Sequence, residues 1–226
     1  MEPVIISNNK VSSASFITGV YGWMMLALIV TALTSIVTVS TPAVLNFVFG
    51  IPYMFYVLIF AEFGLVWYLS SRVSSLSNTT ATIMFLAYSI LNGLTLSVIL
   101  FVYSGAAISN AFLITAGTFG IMSAAGYFTK KDLSGFGAIM MMGLVGIILA
   151  SLVNFFLKSD TMSYIISYVG VMIFVGLTAY DTQKIKNMAN ELEEDQLKKA
   201  SIMGALTLYL DFVNLFLFLL RILNRK

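Results

Sequence analysis

Seven stretches of about twenty mostly apolar residues follow one another along the chain, and they limit what it can fold into more than any other feature. An α-helix needs about 20 apolar residues to cross the core of a bilayer, so each stretch is long enough to span a membrane. Only 10% of the 226 residues are charged, whereas soluble domains carry about 25%. The sequence therefore predicts an all-α membrane protein with seven transmembrane helices. The stretches are residues 20–40, 52–71, 79–103, 107–128, 134–157, 161–181 and 201–221.

The domain organisation follows from these stretches. Residues 1–19 are expected to form a cytoplasmic N-terminal segment, and residues 20–226 a single seven-helix domain in the lipid bilayer. The polar residues 184–199 are expected to connect the sixth and seventh helices, with residues 192–199 as a solvated helical turn between them. Lysine and arginine set the orientation, because cytoplasmic connections carry more of them. With the N-terminus inside and the C-terminus outside, the inner eight are Lys10, Arg72, Lys130, Lys131, Lys184, Lys186, Lys198 and Lys199, and the outer four are Lys158, Arg221, Arg225 and Lys226.

The residue types that the chain lacks exclude several kinds of site. It has no cysteine and no histidine, which removes disulfides, thiol nucleophiles, histidine-dependent triads and the usual zinc sites. The net charge of +2 and the lack of a basic tract argue against nucleic acid as a partner. We expect no enzymatic activity and no cofactor.

Three acidic residues, Glu62, Asp181 and Asp211, lie within or at the end of apolar stretches. An ionised acid at the centre of a bilayer costs about 2.5–3.5 kcal/mol on insertion scales, so each should face a partner or water. Small and polar residues recur at helical spacing around Asp211, which predicts that the seventh helix is central and that Asp211 faces inward. A hydrogen bond that only serves packing is the alternative. The residues of this stripe are Gly204, Thr207, Asp211 and Asn214.

Asp181 is predicted at the cytoplasmic end of the sixth helix, with Thr178 one turn before it and Lys184 one turn after it. It would either pair loosely with Lys184 in the headgroup zone or meet Asp211. If the two carboxyl groups meet, they would share one proton and titrate in two separate steps, which makes a pH-sensitive latch. When both are ionised, their oxygens would suit transient binding of Ca²⁺. Thr178, Thr207 and Asn214 would supply further hydrogen bonds to the pair.

Glu62 and Arg72 lie on the second predicted helix. Glu62 has apolar helical neighbours and needs a proton or a partner on another helix, so we expect it in a deeper polar path. Arg72 lies at the end of this helix, at the level expected for Asp181. It would either form a salt bridge to Asp181 that holds the inner mouth shut, or extend to the interface and only fix the orientation.

Five motifs give the chain a resemblance to the Bax inhibitor-1 family, also called the transmembrane Bax-inhibitor-motif family, and most of all to its bacterial inner-membrane members. The resemblance covers nearly the whole chain. The motifs are V20-YGWM, G93-LTLS, G126-YFTKKDLSGFG, V175-GLTAYDTQKIKN and A205-LTLYLDFVNLFLFLLRI.

This resemblance implies a fold in which helices one to six are arranged around helix seven. It also implies a pH-sensitive calcium leak, with Ca²⁺ as the permeant ion. The acids of its last two motifs match Asp181 and Asp211, which implies that they form the pH-sensing pair. Arg72 is the nearest match to the arginine that latches this pair.

Other functions stay open. Some relatives are partners of proteases or cell-death proteins, so the chain would instead be a non-conducting regulator that binds a membrane protease or stress partner. Two intramembrane aspartates also serve proteases of the presenilin type, but the glycine pair that accompanies the second acid there is missing before Asp211. A proton-coupled exchanger is a further alternative.

Overall fold

A computed structural model gives the fold of residues 13–72, 75–192 and 194–224. In these ranges every regular element is a helix. A π-helical turn, Asn46–Gly50, precedes the loop before α3. The helices are α1 (Ser13–Ser40), α2 (Pro42–Leu45), α3 (Met54–Arg72), α4 (Asn78–Leu96), α5 (Ile99–Val102), α6 (Gly105–Phe128), α7 (Ser134–Leu157), α8 (Asp160–Glu191) and α9 (Glu194–Leu223).

Seven segments of the described chain are helical, long and apolar enough to cross a membrane, which confirms the predicted fold class. The helices α4 and α5 together form the third of them, Asn78–Val102. The helix is interrupted between α4 and α5, although no proline lies there. At this point the Ser97 hydroxyl donates to the carbonyl oxygen of Leu94 at 2.6 Å. Hydroxyl groups that bond to the preceding turn compete with the helical ladder and bend or interrupt it.

Serine side chains begin three of the helices. Ser77, Ser104 and Ser159 each have an extended backbone, and each side chain accepts a hydrogen bond from a backbone N–H in the first turn of α4, α6 and α8. Such caps satisfy N–H groups that have no partner within the helix. These three serines therefore fix the residues at which α4, α6 and α8 begin.

The helices α8 and α9 form the centre of the bundle. Their membrane windows are 50% and 56% buried, compared with 11% for α3 and for α7. The last helix, α9, packs against α1, α4, α6 and α8, while α3 packs against α4 and α7 against α8. This packing agrees with a central seventh helix, with α3 and α7 on the outside of the bundle.

Three predicted helix boundaries are wrong. The first helix begins at Ser13 instead of residue 20, the sixth ends at Glu191 instead of residue 181, and the seventh begins at Glu194 instead of residue 201. These extensions have the same cause, because their apolar side chains belong to one buried cluster that continues past the apolar stretches. Its members from these extensions are Phe16, Ile17, Ile185, Ala189 and Leu197. The predicted N-terminal segment lies outside the described residues up to residue 12.

Glycine allows close approach at two helix contacts. A Cβ atom at Gly126 of α6 would overlap the carbonyl group of Ala179 in α8. A Cβ atom at Gly170 of α8 would lie 2.6 Å from the Phe218 ring of α9. Small residues let helix backbones approach where no hydrophobic force joins them. These contacts hold α8 between α6 and α9 and so fix the position of Asp181.

Candidate functional site

Asp181 and Asp211 meet at the contact between α8 and α9. Their side-chain carboxyl groups lie within hydrogen-bonding reach of each other. Asp181 is 8% exposed and Asp211 is 4% exposed, so both are buried inside the bundle. Asp181 lies about 15 Å before the end of α8 at Glu191, deeper than the predicted helix end.

The contact between these carboxyl groups has a direct chemical consequence. A hydrogen bond between two carboxyl groups requires one of them to carry a proton, because two carboxylates only accept. The Oδ2 atom of Asp211 is buried and has no hydrogen-bond partner in the described structure. A buried oxygen without a partner has lost its hydrogen bonds to water and gained none in the protein. A proton or a cation bound to this oxygen would offset that cost.

Lys184 is the basic residue that follows Asp181 on α8. It is exposed, and no salt bridge joins it to Asp181 in the part of the chain that the structure describes. The burial of Asp181 favours the contact with Asp211, and the loose pairing with Lys184 stays a prediction. Because Lys184 lies one turn further along α8, it offers positive charge on the side of the pair where the hairpin between α8 and α9 lies.

The three polar residues predicted to bond to the pair have other partners. The hydroxyl groups of Thr178 and Thr207 donate to the carbonyl oxygens of Phe174 and Met203, at 2.7 and 3.0 Å. A hydroxyl has one proton, so neither is left with a proton for an aspartate. The amide of Asn214 donates to the carbonyl oxygen of Leu210 at 2.8 Å. Their predicted place along a polar path stays a prediction.

Arg72 lies apart from the aspartates in this structure. It is exposed at the end of α3, and α3 packs against α4 and the π-helical turn. Within the described ranges no ion pair joins Arg72 to Asp181. The structure therefore does not bring the predicted latch to the pair, and its role stays a prediction.

Glu62 has the partners on another helix that its position demands. The Thr95 hydroxyl donates to its Oε1 atom at 2.6 Å, and the Asn92 amide donates to its Oε2 atom at 3.1 Å. Both partners lie on α4. Hydrogen bonds to an ionised group are roughly twice as strong as neutral ones, so this arrangement can hold a half-buried carboxylate.

This Glu62 site continues into the centre of the bundle through a tyrosine that the sequence did not single out. The Tyr209 hydroxyl of α9 donates to Asn92 Oδ1 at 2.9 Å and lies 2.7 Å from the Thr31 hydroxyl of α1. Tyr209 is fully buried, two residues before Asp211. The only signal in the sequence was its place in the motif A205-LTLYLDF. Within the described residues, no hydrogen bond joins this network to the aspartate pair.

Gln183 is a second residue that sequence reasoning missed. Its Oε1 atom accepts from the backbone N–H of Leu133, and its Nε2 atom donates to the carbonyl oxygen of Lys131, both at 2.8 Å. It thereby fixes the loop between α6 and α7 onto α8, two residues from Asp181. The two sequence motifs that contain Lys131 and Gln183 are joined by these bonds.

The acids of the described chain do not form a larger cluster. Within that part of the chain, no group of three or more histidine, cysteine, aspartate or glutamate side chains comes together. Two carboxyl groups alone give few of the 6–8 oxygen ligands that Ca²⁺ takes, so any cation between them would keep much of its water. This arrangement argues against a tight calcium site at the pair.

Comparison with known proteins gives matches along almost the whole chain. A family model described as "Inhibitor of apoptosis-promoting Bax1" matches residues 13–226. The inner membrane protein YbhL of Escherichia coli is 49% identical over 215 residues, covering 94% of this chain and 92% of that protein. Uncharacterized proteins of Borreliella burgdorferi and Deinococcus radiodurans are each 43% identical over 213 residues. They cover 93% and 94% of this chain and 92% and 91% of their own lengths. The family match includes both helices that carry the aspartates.

Proposed function

Because the chain belongs to the family of inhibitors of apoptosis-promoting Bax1, we propose that it is a pH-sensitive calcium leak channel gated by Asp181 and Asp211. The observation that carries this proposal is the contact of two buried carboxyl groups between the two most buried spans, α8 and α9. We place the protein in a bacterial inner membrane, which is supported by its seven apolar helices and by the name of the Escherichia coli relative.

The gate works through the proton that the pair shares. With the proton in place, an O–H···O hydrogen bond ties α8 to α9. When the proton leaves, two like charges face each other in a poorly hydrated place, which favours entry of water or a cation. Calcium suits this site because hard carboxylate oxygens are its preferred ligands. Glu62, with its two hydrogen-bond donors, provides a second polar position, and Arg72 provides positive charge at the mouth.

Replacing each aspartate by asparagine tests the gate. In Asp211→Asn and Asp181→Asn, the amide can donate to the remaining carboxyl group whether or not that group is protonated, so the contact between α8 and α9 no longer depends on a proton. We expect Ca²⁺ efflux from proteoliposomes to lose its pH dependence in both variants. Asp160→Asn is the matched control, because Asp160 is an exposed acid in the first turn of α8. Wild-type pH profiles in both pair variants would rule out the gate.

A non-conducting regulator is the second candidate, favoured by the description of the family as an inhibitor of another protein. Such a protein would bind a membrane protease or a stress or cell-death partner through its outer helices. The same liposomes separate the two functions. A leak channel gives Ca²⁺ flux above that of empty vesicles, and a regulator gives none.

A further inference from the structure

A cleft of about 520 Å³ lies between α1 and α6, away from the polar network of Glu62. Both helices pack against α8 and α9, and the cleft lies between them. Its wall is mainly apolar and includes Met24, Phe119, Tyr127 and Phe128, with Phe212 of α9 also lining it. The volume is within the range of about 300–1,000 Å³ that is usual for small-molecule sites. A cleft of this kind between two membrane spans offers room for a hydrocarbon chain.

One polar atom in this cleft has no partner. The hydroxyl oxygen of Ser123 is buried, and it has no hydrogen bond in the described structure. The residue is 7% exposed and lies about 7 Å before the end of α6 at Phe128. A buried hydroxyl without a partner is costly, so this position calls for a group that accepts a hydrogen bond.

The end of the cleft is positively charged. Lys130 and Lys131 follow the last turn of α6 and are exposed. The amino group of Lys186 donates to the carbonyl oxygen of Tyr127 at 2.7 Å and lies 4.9 Å above the ring of that residue, which lines the cleft. Three cations therefore gather where α6 ends.

One acid reduces this charge without cancelling it. Asp132 accepts a hydrogen bond from the backbone N–H of Ser134 at 2.9 Å. Hydrogen bonds from Ser134 lower the pKa of Asp132, so this residue stays ionised at neutral pH. The carboxylate is engaged with the start of α7, and Gln183 holds the backbone of this loop through Lys131 and Leu133.

We propose that the cleft between α1 and α6 binds an anionic phospholipid. One acyl chain lies along Met24, Phe119 and Phe212, an ester carbonyl accepts from the Ser123 hydroxyl, and the phosphate group lies among the lysines after α6. The order of these three features along α6 follows the order of hydrocarbon, ester and phosphate in a lipid. This proposal goes beyond the calcium leak and does not depend on it.

Charge selectivity is the first test. The purified full-length protein is analysed by native mass spectrometry with phosphatidylglycerol and with phosphatidylcholine that carry identical acyl chains. We expect one phosphatidylglycerol to be retained in preference. Lys130→Ala and Lys131→Ala should each weaken its retention about fivefold. Lys198→Ala is the matched control, because Lys198 is also exposed but lines a different pocket. Equal retention of both lipids, or equal effects of the three variants, would overturn the proposal.

Two glycines of α6 provide a steric test. Gly120 lines the cleft and Gly117 does not, and a Cβ atom at either would have no other atom within 4 Å. Gly120→Leu should fill the cleft and abolish lipid retention, whereas Gly117→Leu should retain the lipid like the wild type. Ser123→Ala should weaken retention without changing the preference for charge. Equal retention by both glycine variants would contradict the proposed place of the lipid.

Other occupants give different results in the same assay. If the protein retains palmitate but not phosphatidylglycerol, the site binds a free fatty acid and the proposal is wrong. If lipid is retained only after deletion of residues 1–12, the chain's own N-terminus covers the cleft and the proposal is equally wrong. The lysine variants keep the proposal testable even if Gly120→Leu does not fold.

Discussion

The hydroxyl group of Tyr209 joins three helices inside the bundle, because it links α9 to α4 and α1. It donates to Asn92 on α4 and contacts Thr31 on α1, while its own ring packs edge to face against Phe85 and Tyr88. Buried polar networks of this kind are stabilising only while every member has a partner. The position of α9 within the bundle therefore depends on this residue as well as on its apolar neighbours.

Tyr209→Phe tests that dependence. The substitution keeps the ring and leaves the Asn92 oxygen without its donor, which should cost about 1–3 kcal/mol. Tyr88→Phe is the matched control, since Tyr88 belongs to the same ring cluster and its hydroxyl has no hydrogen bond within the described structure. Unfolding in detergent, followed by circular dichroism, measures both. Equal stability losses for the two variants would mean that the ring and not the hydroxyl network is important.

At the scale of elements, the contact between α6 and α8 determines where Asp181 lies. Gly126→Ala should destabilise the protein by about 1–3 kcal/mol, because the added methyl group meets the rigid backbone of Ala179. Gly117→Ala on the same helix has open space and should change stability by less than about 0.5 kcal/mol. Thermal unfolding in the same detergent compares them. A neutral Gly126→Ala would show that α6 and α8 can separate without cost.

The elements also show why the sequence predicts some features and not others. The seven spans are predicted because hydropathy is a local property, readable in each window of about 20 residues. The extension of α8 and α9 into residues 184–199 is not predicted by hydropathy, because those residues are polar on average. Only tertiary packing of a few side chains, such as Ile185 and Leu197, makes them helical.

At the scale of the whole molecule, the candidate site could be predicted only in part. The spacing around Asp211 correctly predicts its burial, because a polar stripe on a lipid-exposed helix must face inward. The contact with Asp181 stayed one of two alternatives, since it depends on how α8 packs against α9, and a hydropathy pattern does not show packing. Arg72, Thr178 and Thr207 were assigned from sequence position, and their side chains have other surroundings in the folded chain.

The fold divides the charges of the chain between its two ends, and this division predicts the orientation. The helix order brings Arg72, Lys130, Lys131 and Lys184 to the end where α8 and α9 join, while Lys158 lies at the opposite end. Because basic residues accumulate on the cytoplasmic side, the joined end should face the cytoplasm and the N-terminus with it.

The lack of cysteine makes this orientation directly testable, because any introduced thiol is the sole reactive one. In intact cells, a membrane-impermeant maleimide should label Ser159→Cys and leave Lys130→Cys unlabelled. Both positions are in short connections between helices, so access to the reagent depends on the side of the membrane. Lysed cells are the control in which both must react. Labelling of Lys130→Cys in intact cells would reverse the orientation and place the joined end, with its lysines, on the outer side of the membrane.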